Sequence, residues 1–336
     1  MVVVSALNYG VPIWTLLIGF VLGAVTGSFL NMVIYRLPRA ISFLNPSSSM
    51  CPICKASLKW IDLMPLFSWL STRGKCRYCA APVPSRYFWV EVLTGLLFAG
   101  AWYQFQIQAD RGGWMGFVMA MLACLVAVIY IDWELFIIPD ELNALMLVIG
   151  VAAMGYTGQW MTALTGAFAG WAVMWGISFF LGRLILGKDA LGDGDIKLMR
   201  GVGAMLGPIL TGISVVIGVF AGLVIGLILI AVNSKKAAAE EEAAESEAEM
   251  LPVEPVLTYI VRGVWYLLCL DIVALFFPSL YKLIGEEPPP KGIDENDTWE
   301  PTATTIPFGP YLALGSITCL LFGDAIEKAV KAYFNF

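Results

Sequence analysis

The 336-residue chain contains no histidine, and only 14% of its residues are charged. Without imidazole there is no Ser-His or Cys-His nucleophile system, no H-E-x-x-H zinc protease motif and no histidine ligand for a metal. Any catalysis must therefore use carboxylates, thiolates, lysine, tyrosine or hydroxyl groups. The scarcity of charge also excludes disorder as the main character of the chain, and it argues against nucleic acid as a partner.

Apolar and aromatic residues make up 59% of the chain, a composition typical of a protein embedded in a bilayer. We expect an all-α polytopic membrane protein with about eight transmembrane helices, because each span needs about 20 mostly apolar residues. The first apolar stretch lacks the basic start of a signal peptide, which favours its retention as a span. The predicted spans lie near 11–34, 87–109, 114–131, 142–182 (two spans, divided by the turn-prone 155–159), 209–232 and 308–322, with a shorter candidate after Asp195.

Glycines recur at every fourth position along two of these spans, at 19, 23 and 27 and again at 218, 222 and 226. Small residues at this spacing allow two membrane helices to approach closely. We therefore expect both ladders to serve helix packing.

Basic residues are concentrated between the first two spans, where Asp62 is the single acid among residues 36–86. Loops rich in lysine and arginine stay in the cytoplasm, so we expect this loop to be cytoplasmic and the N-terminus to lie outside. Counting spans onward places the loops 132–141 and 183–197 on the same side. Attraction to anionic lipid headgroups is a second role for the basic loop. Its basic residues are Arg36, Arg39, Lys55, Lys59, Arg73, Lys75, Arg77 and Arg86.

The same loop holds two C-x-x-C pairs, Cys51 with Cys54 and Cys76 with Cys79, separated by 21 residues. Four thiolates at this spacing are typical of a tetrahedral zinc site. A cytoplasmic position favours metal over a disulfide, because the cytosol keeps thiols reduced. A four-cysteine site has no open coordination position, so we expect a structural zinc in a small zinc-knuckle module.

Two groups of acids lie where charge is costly, beside predicted spans. One group falls between the third and fourth spans, and the other lies in the glycine-rich stretch 192–197. If one aspartate from each group met across the bundle, the two would share a proton and could perform acid and base catalysis on a peptide bond without histidine. The alternative is that these acids only mark helix ends at the headgroups. The groups comprise Asp132, Glu134, Asp140 and Glu141, and Asp193 and Asp195.

Six motifs in a fixed order resemble those of the type IV prepilin peptidases, the bifunctional leader peptidases and N-methyltransferases of type IV pilus and type II secretion systems. The resemblance covers about residues 10–232 and 306–324. The motifs are GSFLN at 27–31 with YRLP at 35–38, the two cysteine pairs, RYF at 86–88 with EVLTG at 91–95, Ile131-Asp132 with IPD at 138–140, GDGDIK at 192–197 and PFGPYL at 307–312.

The resemblance implies a G-x-G-D intramembrane aspartyl protease of the bacterial inner membrane whose active site faces the cytoplasm. Its catalytic pair would be Asp132 and Asp195. Supporting positions would be Asp140, Asp193, Gly192, Gly194 and Lys197. Members of the family cut the basic leader of prepilins and pseudopilins, which would be the protein partners alongside the lipid bilayer.

The resemblance also implies methylation of the new N-terminal residue with S-adenosylmethionine. No G-x-G-x-x-G motif follows a predicted strand, so nothing indicates a Rossmann cofactor domain. In the family this activity is linked to the N-terminal region, which implies Asn31, Arg36, the four cysteines and Glu91 as its neighbourhood. Glu91 would bind the substrate ammonium or the cofactor sulfonium, or it would pair with Arg86 as a structural anchor.

Between the long span and Pro307 the chain departs from the family by an insertion. An Ala/Glu run at 237–249 predicts a solvated helix or a disordered tether. Residues 256–284 are either an extra span or a non-spanning helix pair, of which we favour the second, and 286–305 predict a flexible acidic loop. The expected divisions are 1–37 (first helix), 38–86 (zinc loop), 87–232 (protease bundle), 233–306 (insertion) and 307–336 (last helix and tail).

Two other classes of function compete with the peptidase. In a transporter or proton-coupled channel, Asp132 and Asp195 would carry an ion or protons. A catalytically silent scaffold would keep only the fold. The ordered motifs and the cysteine module argue against the first, and the intact aspartates and cysteines argue against the second.

Overall fold

A computed structural model describes residues 14–44, 49–106, 112–186, 191–248, 256–284, 292 and 306–334. This described part is helical apart from connecting turns and two isolated β-bridges, and it contains no strand. The expected all-α class is therefore confirmed. The chain divides into two compact units, Met1–Ile131 and Asp132–Phe336.

The first unit is built on two glycine-packed helices. It contains α1 (Trp14–Arg36), a 3-10 turn (Trp60–Asp62), the short α2 (Phe67–Ser71), α3 (Arg86–Gln106) and most of α4 (Gly112–Leu135). A Cβ at Gly19 would lie 2.8 Å from Cβ of Trp102, and one at Gly27 would lie 2.7 Å from Cα of Glu91. The close approach predicted from the first glycine ladder is confirmed.

The second unit holds the remaining helices. They are α5 (Asp140–Tyr156), α6 (Trp160–Ile177) with a π-helical continuation (Ser178–Leu186), α7 (Asp193–Ala248), α8 (Val256–Leu267), α9 (Leu270–Phe276), a 3-10 segment (Pro278–Ile284) and α10 (Gly309–Phe334). Gly158, at φ 73°, lies in the turn between α5 and α6. The long uncharged run 142–182 therefore forms two helices divided where the sequence predicts the turn.

A break at Gly207 divides α7 into two parts. Gly207 has φ 74° and ψ 171°, a conformation that glycine adopts readily, and Pro208 follows it. Beyond the break, Gly218 approaches α10 so closely that a Cβ there would lie 2.9 Å from the carbonyl oxygen of Tyr311. The second glycine ladder therefore also serves packing. The Ala/Glu run is helical as far as Ala248, which agrees with the predicted helix and not with the disordered tether.

Within the described residues, five helices are long and apolar enough to cross a membrane, or six if α8 and α9 form one broken span. The five are 14–36, 113–135, 160–182, 193–229 and 309–333. The expected count of about eight spans is not confirmed. The helices α3 and α5, at two of the predicted spans, are not among the five, and the two candidates after Asp195 form one bent run over residues 193–229.

The inserted helices α8 and α9 are bent by 79° at a short break, which is the geometry of either a broken span or a re-entrant loop. Our preference for a non-spanning pair stays a prediction. The acidic loop predicted at 286–305 lies outside the described residues, apart from Gly292.

Gly170 on α6 allows a backbone contact with α7, because a Cβ at this position would overlap the carbonyl oxygen of Met199. We expect Gly170→Ala to lower the free energy of unfolding by about 1–3 kcal/mol through overpacking. Gly176→Ala on the same helix is the matched control, since a Cβ there meets nothing within 4 Å. Denaturation of both variants in detergent tests this contact, and equal stabilities would contradict it.

Candidate active site

Asp132, on the last turn of α4, is buried, with 5% of its surface exposed. Its Oδ2 accepts a hydrogen bond of 2.8 Å from the backbone N–H of Gly309, the first residue of α10. A Cβ at Gly309 would lie 2.6 Å from that oxygen. Only glycine therefore leaves room for the carboxyl group at the start of α10.

Asp195 lies in the first turn of α7 and is 8% exposed. Its backbone N–H donates to the carbonyl oxygen of Gly192 at 3.1 Å, which folds the glycine-rich stretch into the helix start. Ile138 packs against this stretch and against α10, since Cβ atoms at Gly194 and Gly309 would each lie 3.1 Å from its side chain. The carboxyl groups of Asp132 and Asp195 lie within electrostatic range, so that their negative charges would repel each other.

The supporting residues have partners of their own. Lys197 Nζ donates to both carboxylate oxygens of Asp140, at 2.8 and 3.0 Å. Asp193 accepts a hydrogen bond of 2.8 Å from the hydroxyl of Tyr266 and lies 3.5 Å from Arg262 Nη1. Among the described residues, neither Asp132 nor Asp195 forms an ion pair with lysine or arginine. Both acids are therefore buried without a cation to neutralise them in the part of the chain that the structure describes.

The inserted helices α8 and α9 contact the first turns of α7, which the sequence did not predict. Arg200, 2% exposed, donates from Nη1 to Asp271 Oδ1 at 2.9 Å and from Nη2 to Oδ2 at 2.7 Å. Arg200 also donates to the carbonyl oxygen of Tyr266. Asp271 could have indicated this contact in the sequence, because an acid inside the apolar stretch 256–284 needs a buried partner.

In the first unit, the four cysteines form one cluster. Their sulfur atoms all lie within 4.8 Å of one another, and Sγ of Cys51 and Sγ of Cys79 are 3.9 Å apart. That separation is far longer than a disulfide bond, and all four thiols are free. Sulfur atoms at 2.3 Å from a tetrahedral zinc ion lie about 3.8 Å apart, so the cluster fits zinc.

The two cysteine pairs form matching turns. The N–H of Cys51 donates to Ala56 and that of Cys76 donates to Ala81, at 3.0 and 2.7 Å. Lys55 and Ala80, which follow the second cysteine of each pair, have φ 57° and 58°. The backbone N–H groups of residues 54 and 53 lower the pKa of the Cys51 thiol to about 6. Such turns present thiolates to a metal.

The residues implied for methylation lie along α1 and α3. Glu91 is 6% exposed and accepts a hydrogen bond of 2.7 Å from the N–H of Leu66, a residue with φ 61°. Asn31 Nδ2 donates to the carbonyl oxygen of Tyr87 at 3.0 Å, whereas its Oδ1 is buried without a partner among the described residues. Arg36 Nη1 donates to the carbonyl oxygen of residue 42 at 2.9 Å and so fixes the chain after α1.

Comparison with known proteins identifies the family. A model of the Bacterial Peptidase A24 N-terminal domain matches residues 21–105, and one of the Type IV leader peptidase family matches residues 119–227. A protein of Myxococcus xanthus named "Prepilin leader peptidase/N-methyltransferase" is 32% identical, covering 93% of this chain and 92% of its own. The chain belongs to the type IV leader peptidase family.

Relatives of the same name from Aeromonas hydrophila and Neisseria gonorrhoeae are 34% and 30% identical. They cover 68% and 61% of this chain, and 87% and 80% of their own length. No solved structure matches the chain. The helices α8 and α9 lie beyond both matched segments, so their contacts with α7 are additions to the part that defines the family.

Zinc binding by the cysteine cluster is directly testable. Metal analysis of the detergent-purified protein should find about one zinc per chain, and less as pH falls, because protons compete for the four thiolates. We expect Cys54→Ser to lose most of the zinc. The control is Cys319→Ser, since Cys319 is buried on α10. Metal-free protein with a disulfide at these positions would contradict the site.

Proposed function

We propose that the chain is a prepilin peptidase that cleaves the basic leader of type IV prepilins or type II secretion pseudopilins with Asp132 and Asp195. The observation that carries the proposal is the pair of buried carboxyl groups, from α4 and α7, that lie within electrostatic range and have no cationic partner among the described residues. Acids that served only as helix-end markers would lie at the surface.

The hydrogen bond from Gly309 to Asp132 suggests which acid is the general base and which is the general acid. A backbone N–H donor stabilises a carboxylate more than a carboxylic acid, which favours Asp132 as the base and Asp195 as the acid. Asp132 takes a proton from water as the water oxygen attacks the scissile carbonyl carbon, and Asp195 protonates the carbonyl oxygen.

The resulting diol returns one hydroxyl proton to Asp195 as its carbonyl re-forms and the C–N bond breaks. The leaving amine takes the proton held by Asp132. Both side chains thus regain their starting states, and the products are a carboxylic acid and an amine.

The site would face the cytoplasm of a bacterial inner membrane, because the loop 36–86 is strongly basic and Asp132 and Asp195 lie at helix ends counted to the same side. A basic leader entering from that side would meet the two acids at the membrane surface. A transporter would need neither a cleavable substrate nor the cysteine cluster, and a silent scaffold would not need to keep two buried acids together.

The two aspartates should each be essential for cleavage. We expect Asp132→Asn and Asp195→Asn to lower kcat by about 10³-fold, because an amide neither accepts the water proton nor donates to the carbonyl oxygen in the same way. An asparagine at 132 still accepts from the N–H of Gly309, so the fold should persist. The measurement is mass spectrometry of a prepilin with a basic leader and a Gly-Phe junction.

The control for these variants is Asp324→Asn, an equivalent change at an exposed position of α10. Full activity in either active-site variant would mean that a different acid of its cluster is catalytic. An inert parent protein, well folded and mixed with a prepilin from the same genome, would favour the scaffold or transport hypothesis.

We also propose that the first unit methylates the new N-terminus. When bound, S-adenosylmethionine supplies the methyl group. Glu91 offers a buried carboxylate for the cofactor sulfonium or the substrate ammonium, and Asn31 Oδ1 is a buried acceptor with no partner among the described residues. Both side chains lie where α1 packs on α3, so one ligand could use both.

Glu91→Gln should separate the two activities. The amide keeps the shape of the side chain and its bond to the N–H of Leu66 but removes the charge that would attract a cation, so methylation should fall by about tenfold or more. Cleavage should be unchanged. The control is Glu327→Gln, at an exposed ion pair of α10. Products with and without the methyl group are distinguished by mass, and unchanged methylation would assign Glu91 to the support of Leu66 alone.

A further inference from the structure

The inserted helices α8 and α9 contact one face of α7 at its start. The contacted residues are Asp193, Lys197 and Arg200, spaced at i, i+4 and i+7. Residues at this spacing lie on one face of a helix over its first two turns. Asp195 lies within the same first turn but away from that face. Contacts that hold this face of α7 in place therefore also hold Asp195 in place.

Tyr266 on α8 makes contact with all three residues. Its hydroxyl donates to Asp193 Oδ2 at 2.8 Å, and its ring lies 4.6 Å from Lys197 Nζ. Its backbone carbonyl oxygen accepts a hydrogen bond from Arg200. Tyr266 is itself 5% exposed. A single buried residue thus holds two turns of the helix that carries a proposed catalytic acid.

The bend between the inserted helices supplies a second anchor. Cys269, at φ 56°, precedes α9 and turns the chain so that Asp271 on α9 faces Arg200. The two anchors come from different helices of the bent pair, and both reach Arg200. A straight helix would present Tyr266 and Asp271, five residues apart, on different sides.

We infer that Tyr266 is a positioning residue that, with the Arg200–Asp271 ion pair, holds the first turn of α7 and thereby Asp195 in the geometry for leader cleavage. This role rests on the proposed function. Displacement of a reacting group by about 1 Å can cost about 10²-fold in rate, so a side chain outside the reaction can govern kcat. Tyr266 touches neither Asp132 nor Asp195 in the contacts described, and it acts through Asp193, Lys197 and Arg200.

The test is Tyr266→Phe, which removes the hydroxyl donated to Asp193 and keeps the ring beside Lys197 and the carbonyl oxygen that Arg200 uses. The matched control is Tyr259→Phe, the same change at a tyrosine that is 3% exposed on the same helix and stacks on Trp175 instead. We expect kcat for leader cleavage to fall about tenfold in Tyr266→Phe, with KM and the melting temperature equal to those of the control.

A second variant separates positioning from stability. Arg200→Met with Asp271→Leu replaces the buried ion pair by apolar groups of similar size, a change that is often neutral or stabilising for folding. We expect this double variant to melt no lower than the parent and to lose more than tenfold in kcat. Asp271→Glu as a single substitution keeps the charge of the ion pair, so its kcat should lie between those of the double variant and the parent.

The outcomes distinguish the two proposals. A parent protein that cleaves no prepilin overturns the proposed function and, with it, this role. An active parent whose Tyr266→Phe variant matches Tyr259→Phe in kcat overturns the positioning role alone. Activity that falls only in proportion to lost melting temperature would make the inserted helices a stabilising element and would likewise overturn the inference.

Discussion

Burial of acidic side chains among apolar helices is the constraint on which the second unit depends. A carboxylate removed from water is costly unless a cation or a hydrogen-bond donor compensates. The structure meets this requirement with a different partner for each acid, and each partner fixes one contact between helices. The buried pairs are Asp271 with Arg200 and Asp132 with the N–H of Gly309, and the partly exposed Asp140 and Asp193 pair with Lys197 and with Tyr266 and Arg262. Asp195 differs from these acids, because its charged neighbour is another acid, Asp132, and it has no cationic partner among the described residues. The polar contacts that fold the bundle thus also isolate the pair proposed to react.

Much of this arrangement could be predicted from the sequence, because it depends on residue types and spacing. Uncharged runs indicated most of the long helices, a turn-prone segment marked the α5–α6 boundary, and two C-x-x-C pairs indicated the cysteine cluster. Glycines at every fourth position indicated where α1 packs on α3. Each of these patterns is local, so no knowledge of tertiary contacts was needed. The number of spans was less predictable, because composition does not reveal that residues 193–229 form one run bent at Gly207 or that α5 ends after 17 residues.

The site itself was only partly predictable. Carboxyl clusters beside apolar runs indicated which acids matter, yet the donor to Asp132 is a backbone N–H, and any non-proline residue carries one. What makes Gly309 specific is the missing Cβ, which becomes meaningful only when α10 meets Asp132. Tyr266 was equally hidden, since tyrosine in an apolar segment has no distinct pattern. Its role depends on the 79° bend that brings α9 back toward α7.

Arg200 links the family fold to the insertion by a physical necessity. It lies within the segment 119–227 that matches the family, whereas its counter-charge, Asp271, lies beyond that match. An arginine that is 2% exposed requires a carboxylate or several acceptors, because leaving it unpaired costs about 3–5 kcal/mol. A chain that lacked α8 and α9 would offer this arginine neither Asp271 nor the carbonyl oxygen of Tyr266. Buried Arg200 and the inserted helices therefore depend on each other in this chain. Their mutual dependence indicates that the insertion is part of the folded bundle and not a passive loop added to its surface.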